Sequence, residues 1–342
     1  MFNLNNKWVI ILILVVLALG LIFVWHKNIW EISTKDNLID SDNQIQGEIS
    51  PLSGLTCQNY QRRPLAIVFA NDPVARPLHG LSQADLVIEM PVITNSITRI
   101  IAFYICNFPE EIGSMRSARH DFIPLAMGFD AILAHWGGSH FALEKLNAGI
   151  MDNIDALKNP ANAFYRKNTK SAPHNGFTSI ENLIKAAKKL NYRLENRFEG
   201  YLYAKEKNTQ NEEDKILRIE YSYPYNVSYE YDSETNSYLR WRTNTKEIDA
   251  NNNQQVRAKN IVIMKVLSEQ IEGPYYNNLN LEGEGQCQIY QNGEIIPCIW
   301  QKSENNPASK LKFLDNHGEE ILFVPGQIWI EIVEPDQKVV WE

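Results

Sequence analysis

The sequence predicts an α+β protein: an N-terminal transmembrane helix, then an α/β domain, then a smaller, mostly-β C-terminal domain. Three observations carry this. Trp8 to Trp25 is an apolar run without a charge, and at about 18 residues it reaches the lower range for a spanning helix. From residue 50 to about 200, β-branched runs alternate with helix-like segments, the pattern of an α/β layer structure. From residue 217 onward short strand-like runs follow one another between turn residues, which reads as mostly β.

The elements follow in chain order. Residues 1–7 form a short cytoplasmic N-terminus, and 8–25 a signal anchor whose Trp8 and Trp25 sit at the two interfaces. A cleaved signal peptide is the alternative, but no small-residue cleavage site follows the run. Lys7 on one side and His26 with Lys27 on the other nearly balance the positive-inside rule. Residues 26–49, with Asp36, Asp40, Asp42 and Glu48 among Asn, Ser and Gln, form a polar tether. Residues 50–200 hold strands over 65–69, 84–92, 97–106 and 131–136, and helices over 117–127, 141–148 and 179–190. Residues 201–216 read as a charged linker loop. Residues 217–342 hold strands over 221–225, 227–231, 238–242, 260–267, 287–290, 295–300 and 327–333.

The cysteines point to the compartment. Asn292-Gly293 is a strong two-residue hairpin turn. Counting outward from it, Cys287 lands opposite Cys298 at a hydrogen-bonded position, where Cα atoms lie about 5.5 Å apart, within disulfide range. Pro297 falls at a non-hydrogen-bonded position and fits an edge strand. A disulfide places the domain outside the cytoplasm; two free thiols are the alternative. Cys57 and Cys106 form a possible second pair that nothing local tests.

Several short motifs carry a resemblance. Arg63-Pro-Leu-Ala-Ile-Val, Ala75-Arg-Pro, Gly80-Leu-Ser-Gln-Ala-Asp-Leu-Val, Ile97-Thr-Arg, Arg116-Ser-Ala-Arg, His135-Trp-Gly-Gly-Ser and Ala172-Pro-His-Asn occur in that order, and Pro325-Gly-Gln-Ile-Trp-Ile follows near the end. Over roughly residues 51–335 the chain resembles the YerB-like family of bacterial extracytoplasmic proteins, many of them lipoproteins, defined by domains of unknown function. Here Asn95-Ser96 replaces the usual Gly-Gly, Leu78-His79 replaces Gln-Ser, and an apolar run replaces the lipidated cysteine. The resemblance implies a fold and a compartment. It carries no catalytic residue.

The stretch from Gly113 to His140 organises the functional reading. Arg116 and Arg119 are three apart and share a face if helical, and Gly137-Gly138-Ser139 closes the strand that ends in His135. A basic pair beside a glycine turn suits an anion. With Arg99, His174, Asn175, Asn71, Asp72 and Arg76 these residues form the candidate ligand-binding set. Arg binds phosphate or carboxylate through a charged fork, and a histidine here can serve as acid, base or hydrogen-bond donor. Tyr165 and Arg166 join the same site if the following loop folds back. No metal site is expected.

The net charge of −8 gives no push toward nucleic acid. No P-loop, G-x-G-x-x-G, G-x-S-x-G or zinc-type cysteine spacing is present, and no cofactor is expected. The reading is a single-pass protein of the bacterial cell membrane, its globular part extracytoplasmic. Its expected ligand is an anionic cell-wall glycopolymer or lipid-linked phosphate. A phosphotransferase or hydrolase acting on such a ligand is one alternative. A non-catalytic scaffold that docks a partner through its β domain is the other.

Overall fold

The computed structural model describes residues 49–204 and 215–342. The expected spanning run at 8–25, the residues before it and the tether up to residue 48 lie outside the described residues, as do residues 205–214. Among the described residues no helix is long and apolar enough to cross a membrane. What is described is mixed α+β, mostly strand, with three α-helices.

In chain order the strands are β1 (Leu65–Phe69), β2 (Leu86–Pro91), β3 (Thr98–Tyr104), β4 (Ile112–Gly113), β5 (Ile132–His135), β6 (Asn153–Asp155), β7 (Tyr165–Arg166) and β8 (Gly176–Thr178). Beyond residue 215 come β9 (Ile216–Ile219), β10 (Val227–Asp232), β11 (Ser237–Arg242), β12 (Thr245–Lys246), β13 (Arg257–Ala258), β14 (Asn260–Lys265), β15 (Ser268–Glu272) and β16 (Tyr276–Leu279). The last are β17 (Gly283–Gln291), β18 (Glu294–Lys302), β19 (Lys312–Leu314), β20 (Ile328–Val333) and β21 (Val339–Trp341). The helices are α1 (Phe122–Gly128), α2 (His140–Asn147) and α3 (Ile180–Lys189).

Ten strands form one sheet in the order β19-β18-β17-β14-β20-β2-β3-β1-β5-β6. Strands from either side of the expected linker therefore share a sheet, joined where β2 runs parallel to β20. Alternate side chains of its central strands enter two different cores. Leu65, Ile67, Phe69, Ile100 and Trp329 pack with α3 and with the tyrosines of a second sheet. Ala66, Val68, Ile101, Phe103 and Ile330 pack with α1 and α2. Coverage of both faces explains why β1, β2, β3 and β20 are buried throughout. The second sheet has the order β12-β11-β10-β9-β21. Its β10 lays Tyr229 and Tyr231 into the first core, and the segment between β9 and β10 adds Tyr221 and Tyr225.

Two expected elements differ. No strand forms over 221–225: Pro224 has no N–H to give a ladder, and the Tyr225 N–H turns back to the Ser222 carbonyl at 2.8 Å. The helix expected over 117–127 begins only at Phe122. Arg116 is tied to Val68 (2.9 Å) and Trp136 (3.0 Å), and Ala118 to Gly137 (2.9 Å) and Ser139 (3.1 Å), so these backbone groups are spent on tertiary bonds instead of a helical turn. Arg116 and Arg119 therefore do not share a helix face. By contrast α3 has its expected cap, with Ser179 Oγ accepting from the Asn182 N–H at 3.2 Å and Lys188 and Lys189 in the last turn.

Cys287 opposes Cys298 in the register counted from the turn, and the two are bonded, with Cα atoms 4.8 Å apart, closer than the about 5.5 Å of an ideal hydrogen-bonded pair. Pro297 has β17 on one side and no strand on the other, since β19 pairs only with residues 299–301 of β18. Cys57 and Cys106 are bonded as well, with Cα atoms 5.6 Å apart.

Candidate functional site

The candidate site lies where β1 ends and the Arg116–Arg119 segment crosses the sheet. β1 runs into Asn71 and Asp72, β3 contributes Arg99, and the loop before β8 contributes His174. Asp72 Oδ2 lies 3.7 Å from an Arg116 terminal nitrogen and 3.8 Å from His174 Nδ1, while Tyr225 donates its hydroxyl to Asp72 Oδ1 at 3.4 Å. Arg99 is 7% exposed and donates to the Ser117 carbonyl at 2.9 Å. Among the described residues neither Arg99 nor Arg119 has a carboxylate within ion-pair distance. Arg119 instead sits 6.0 Å from the Tyr276 ring centre. The Nε atoms of Arg116 and Arg119 and Nδ1 of His174 are buried without a hydrogen-bond partner.

The electrostatics follow from that geometry. Burial, with Arg119 and Arg116 nearby, pulls the Arg99 guanidinium down to about 9. Burial and the Arg116 charge also lower His174, against the pull of Asp72, which keeps the imidazole uncharged at neutral pH and able to accept a proton. Arg116 thus faces Asp72, while Arg99 and Arg119 lie near Arg116 and, among the described residues, have no carboxylate within ion-pair distance.

The other predicted residues do different work. His135 is fully buried, with Nδ1 2.8 Å from the Gly137 carbonyl oxygen and Nε2 3.2 Å from Asn153 Oδ1. The Gly137 N–H donates to Asp155 Oδ1 at 2.9 Å, so it is not free to cradle an anion. Gly138 forms a bridge with Ala118, and Ser139 Oγ caps α2 by accepting from Ala142 at 3.2 Å. The Gly137 N–H is thus spent on Asp155, and the bridge from Ala118 ties the turn to the arginine segment. Asn71 is buried and donates to Glu89 (2.8 Å) and Thr98 (2.6 Å). Arg76 donates to the carbonyls of Asn71 (2.7 Å) and Pro224 (3.2 Å), which leaves it bracing the loop. Asn175 accepts from Arg166.

Beneath the site lies a buried charge network that the sequence reading missed. Glu89 and Glu331 are register partners on β2 and β20. Arg240 reaches both, at 2.5 and 3.0 Å, and also bonds Glu247. Its guanidinium lies 3.8 Å from the Trp329 ring centre. Arg242 bonds Glu89 at 2.6 Å, and Tyr229 donates to Glu331 at 2.5 Å. The network meets the site through Asn71 and through Arg242, which donates to the Tyr225 carbonyl at 2.5 Å. The available signal was the period-two pattern of Tyr238, Arg240 and Arg242, but two arginines on a strand face read as solvated until a second sheet covers them.

This network makes stability depend on acid. The Arg242 and Arg240 charges outweigh burial and hold Glu89 down at about 2, and they lower Glu247 too. Groups depressed in the folded state stabilise it above their unfolded value near 4.3, and that contribution is lost as pH falls through the folded value. Glu331 is raised by burial and by Glu89 and acts with the opposite sign. Denaturant titrations from pH 7 to pH 2 should show unfolding free energy falling between about 4.5 and 2. The slope should flatten in Glu89→Gln; an unchanged slope would mean that Glu89 is not ionised in the fold.

Comparison with known proteins fits this architecture. Residues 52–193 match the family model described as Protein of unknown function (DUF3048) N-terminal domain, and 217–330 match its C-terminal domain. The chain is 32% identical over 307 residues to the Bacillus subtilis (strain 168) protein named "Putative lipoprotein YerB", covering 88% of this chain and 90% of that protein. It is also similar to the crystal structure of YerB protein from Bacillus subtilis, with a TM-score of 0.76 and 31% identity, covering 85% of this chain and 99% of that one. On both domain matches and this length of shared sequence, the chain belongs to the YerB-like DUF3048 family.

Proposed function

We propose that this chain is a membrane-anchored, extracytoplasmic protein of the bacterial cell envelope. Its ligand is an anionic envelope component, a cell-wall glycopolymer or lipid-linked phosphate, held by Arg99, Arg116 and Arg119 beside His174. The compartment is supported by the name of its Bacillus relative, by the two disulfides and by the apolar run at 8–25. The observation that carries the ligand class is Arg99: buried, with Arg116 and Arg119 nearby and, among the described residues, no carboxylate within ion-pair distance. A bound phosphate supplies that charge and accepts from the unpartnered nitrogens around it.

The test is isothermal titration of inorganic phosphate into the full-length protein in detergent. Each charge-assisted hydrogen bond is worth roughly 1.5–3 kcal/mol, so Arg99→Ala and Arg116→Ala should each weaken binding about tenfold or more, and the double variant should abolish it. Undiminished binding by the folded double variant would refute the site.

A further inference from the structure

We propose that the site takes two linked anionic groups, with Arg166 forming an outer position beside the inner arginine cluster. The ligand class is then a diphosphate ester. This rests on the anion-binding reading above and narrows it.

Arg166 ends β7, and the loop after it folds back so that the Lys167 N–H donates to the Asn175 carbonyl at 3.0 Å. The Arg166 guanidinium lies 4.4 Å from the Trp136 ring centre and donates to Asn175 Oδ1. The Trp136 ring is itself pinned: any Cβ at Gly176 would fall 2.4 Å from it, and Phe164 stands against it at 6.0 Å. Both residues that hold Arg166 adjoin the inner site. The Trp136 N–H donates to the Arg116 carbonyl at 3.0 Å, and Asn175 follows His174 in the chain.

The other cations of this loop are committed. Lys167 bonds Glu111 at 2.5 Å, and Lys170 donates to the carbonyls of Ala75 and Pro77. Among the described residues Arg166 has no carboxylate within ion-pair distance, although its side chain is ordered by a ring and an amide. Stacking leaves the planar fork pre-organised, with donors still to fill. An exposed arginine held in this way by one residue bonded to Arg116 and another next to His174 is suited to a second phosphate on the same ligand.

The experiment compares inorganic phosphate with methylenediphosphonate, a diphosphate mimic, by titration into the full-length protein in detergent. A parallel arm measures binding to phosphatidylcholine vesicles with and without farnesyl diphosphate. The diphosphonate should bind about tenfold tighter than phosphate. Arg166→Gln should reduce that ratio to about one and leave phosphate affinity unchanged. Preference for the farnesyl diphosphate vesicles over the free diphosphonate, lost in Arg166→Gln, assigns a lipid-linked ligand; equal affinity assigns a soluble one. Equal binding of phosphate and diphosphonate by the unmodified protein, or a ratio that survives Arg166→Gln, overturns the proposal while the inner site stands. Absence of binding by any of these probes removes the anion site itself, and the proposal with it.

Discussion

Arg240→Ala should lower the unfolding free energy by about 3–5 kcal/mol, the range for breaking a buried ion pair from one side. Arg240 is fully buried and contacts three carboxylates, Glu89, Glu247 and Glu331. Its removal leaves Glu89 and Glu331 facing each other across β2 and β20 with only Arg242 nearby to neutralise them. The Trp329 face also loses its packing partner. The comparison variant is Arg218→Ala, which breaks an exposed pair with Glu342 and should cost no more than about 1 kcal/mol. Denaturant unfolding of both variants decides the matter. A loss below about 1 kcal/mol for Arg240→Ala would mean that the carboxylates shed their charge or find water at little cost. The network sits at the junction of the two halves of the ten-stranded sheet, so the variant should also loosen the second sheet. Exchange of the β10 and β11 amides reports that directly.

Removing the Cys57–Cys106 bridge should cost about 4 kcal/mol. The two cysteines are 49 residues apart, and the chain-entropy relation gives about that value for a loop of this length. The bridge ties the entry of the folded body to the end of β3, where Asp85 accepts from the N–H groups of Ile105 (2.7 Å) and Cys106 (3.1 Å) and from Ser53 Oγ (2.7 Å). That polar cluster keeps the segment partly in place without the bridge, so a smaller measured loss would assign the constraint to Asp85. Cys287 and Cys298 are 11 residues apart in a hairpin already closed by Asn292-Gly293. The double serine variant there should lose clearly less than the Cys57→Ser, Cys106→Ser pair. The reverse order would show that the hairpin is not formed independently of its bridge.

The hairpin shows why part of this protein was legible in the sequence. A two-residue turn fixes strand register, and register fixes which side chains meet. The Cys287–Cys298 pairing and the edge position of Pro297 follow from that local rule. Strand β1 and helix α3 were legible for a similar reason: one is a short apolar run, the other an amphipathic segment with a cap and a charge gradient. The placement of the arginines was not. Arg116 and Arg119 look helical by spacing, but tertiary hydrogen bonds to β1 and to the end of β5 hold their segment open. Gly137 and Gly138 look like an anion cradle, but the Gly137 N–H is taken by Asp155.

By itself the sequence determined the α+β class, most of the strands, one disulfide and the family, because these depend on local pattern and on motif order. It also named Arg99 and Arg116 as residue types suited to an anion, and put Asp72 and His174 in the same candidate set. The tertiary structure alone decided that these four come together, that His135 and Gly137 serve the scaffold, and that Arg240, Arg242 and three glutamates are buried as one network. Charge in a sequence carries no burial information. Only the pairing of β2 with β20, and the second sheet covering them, turns those residues from apparent surface into the support of the site.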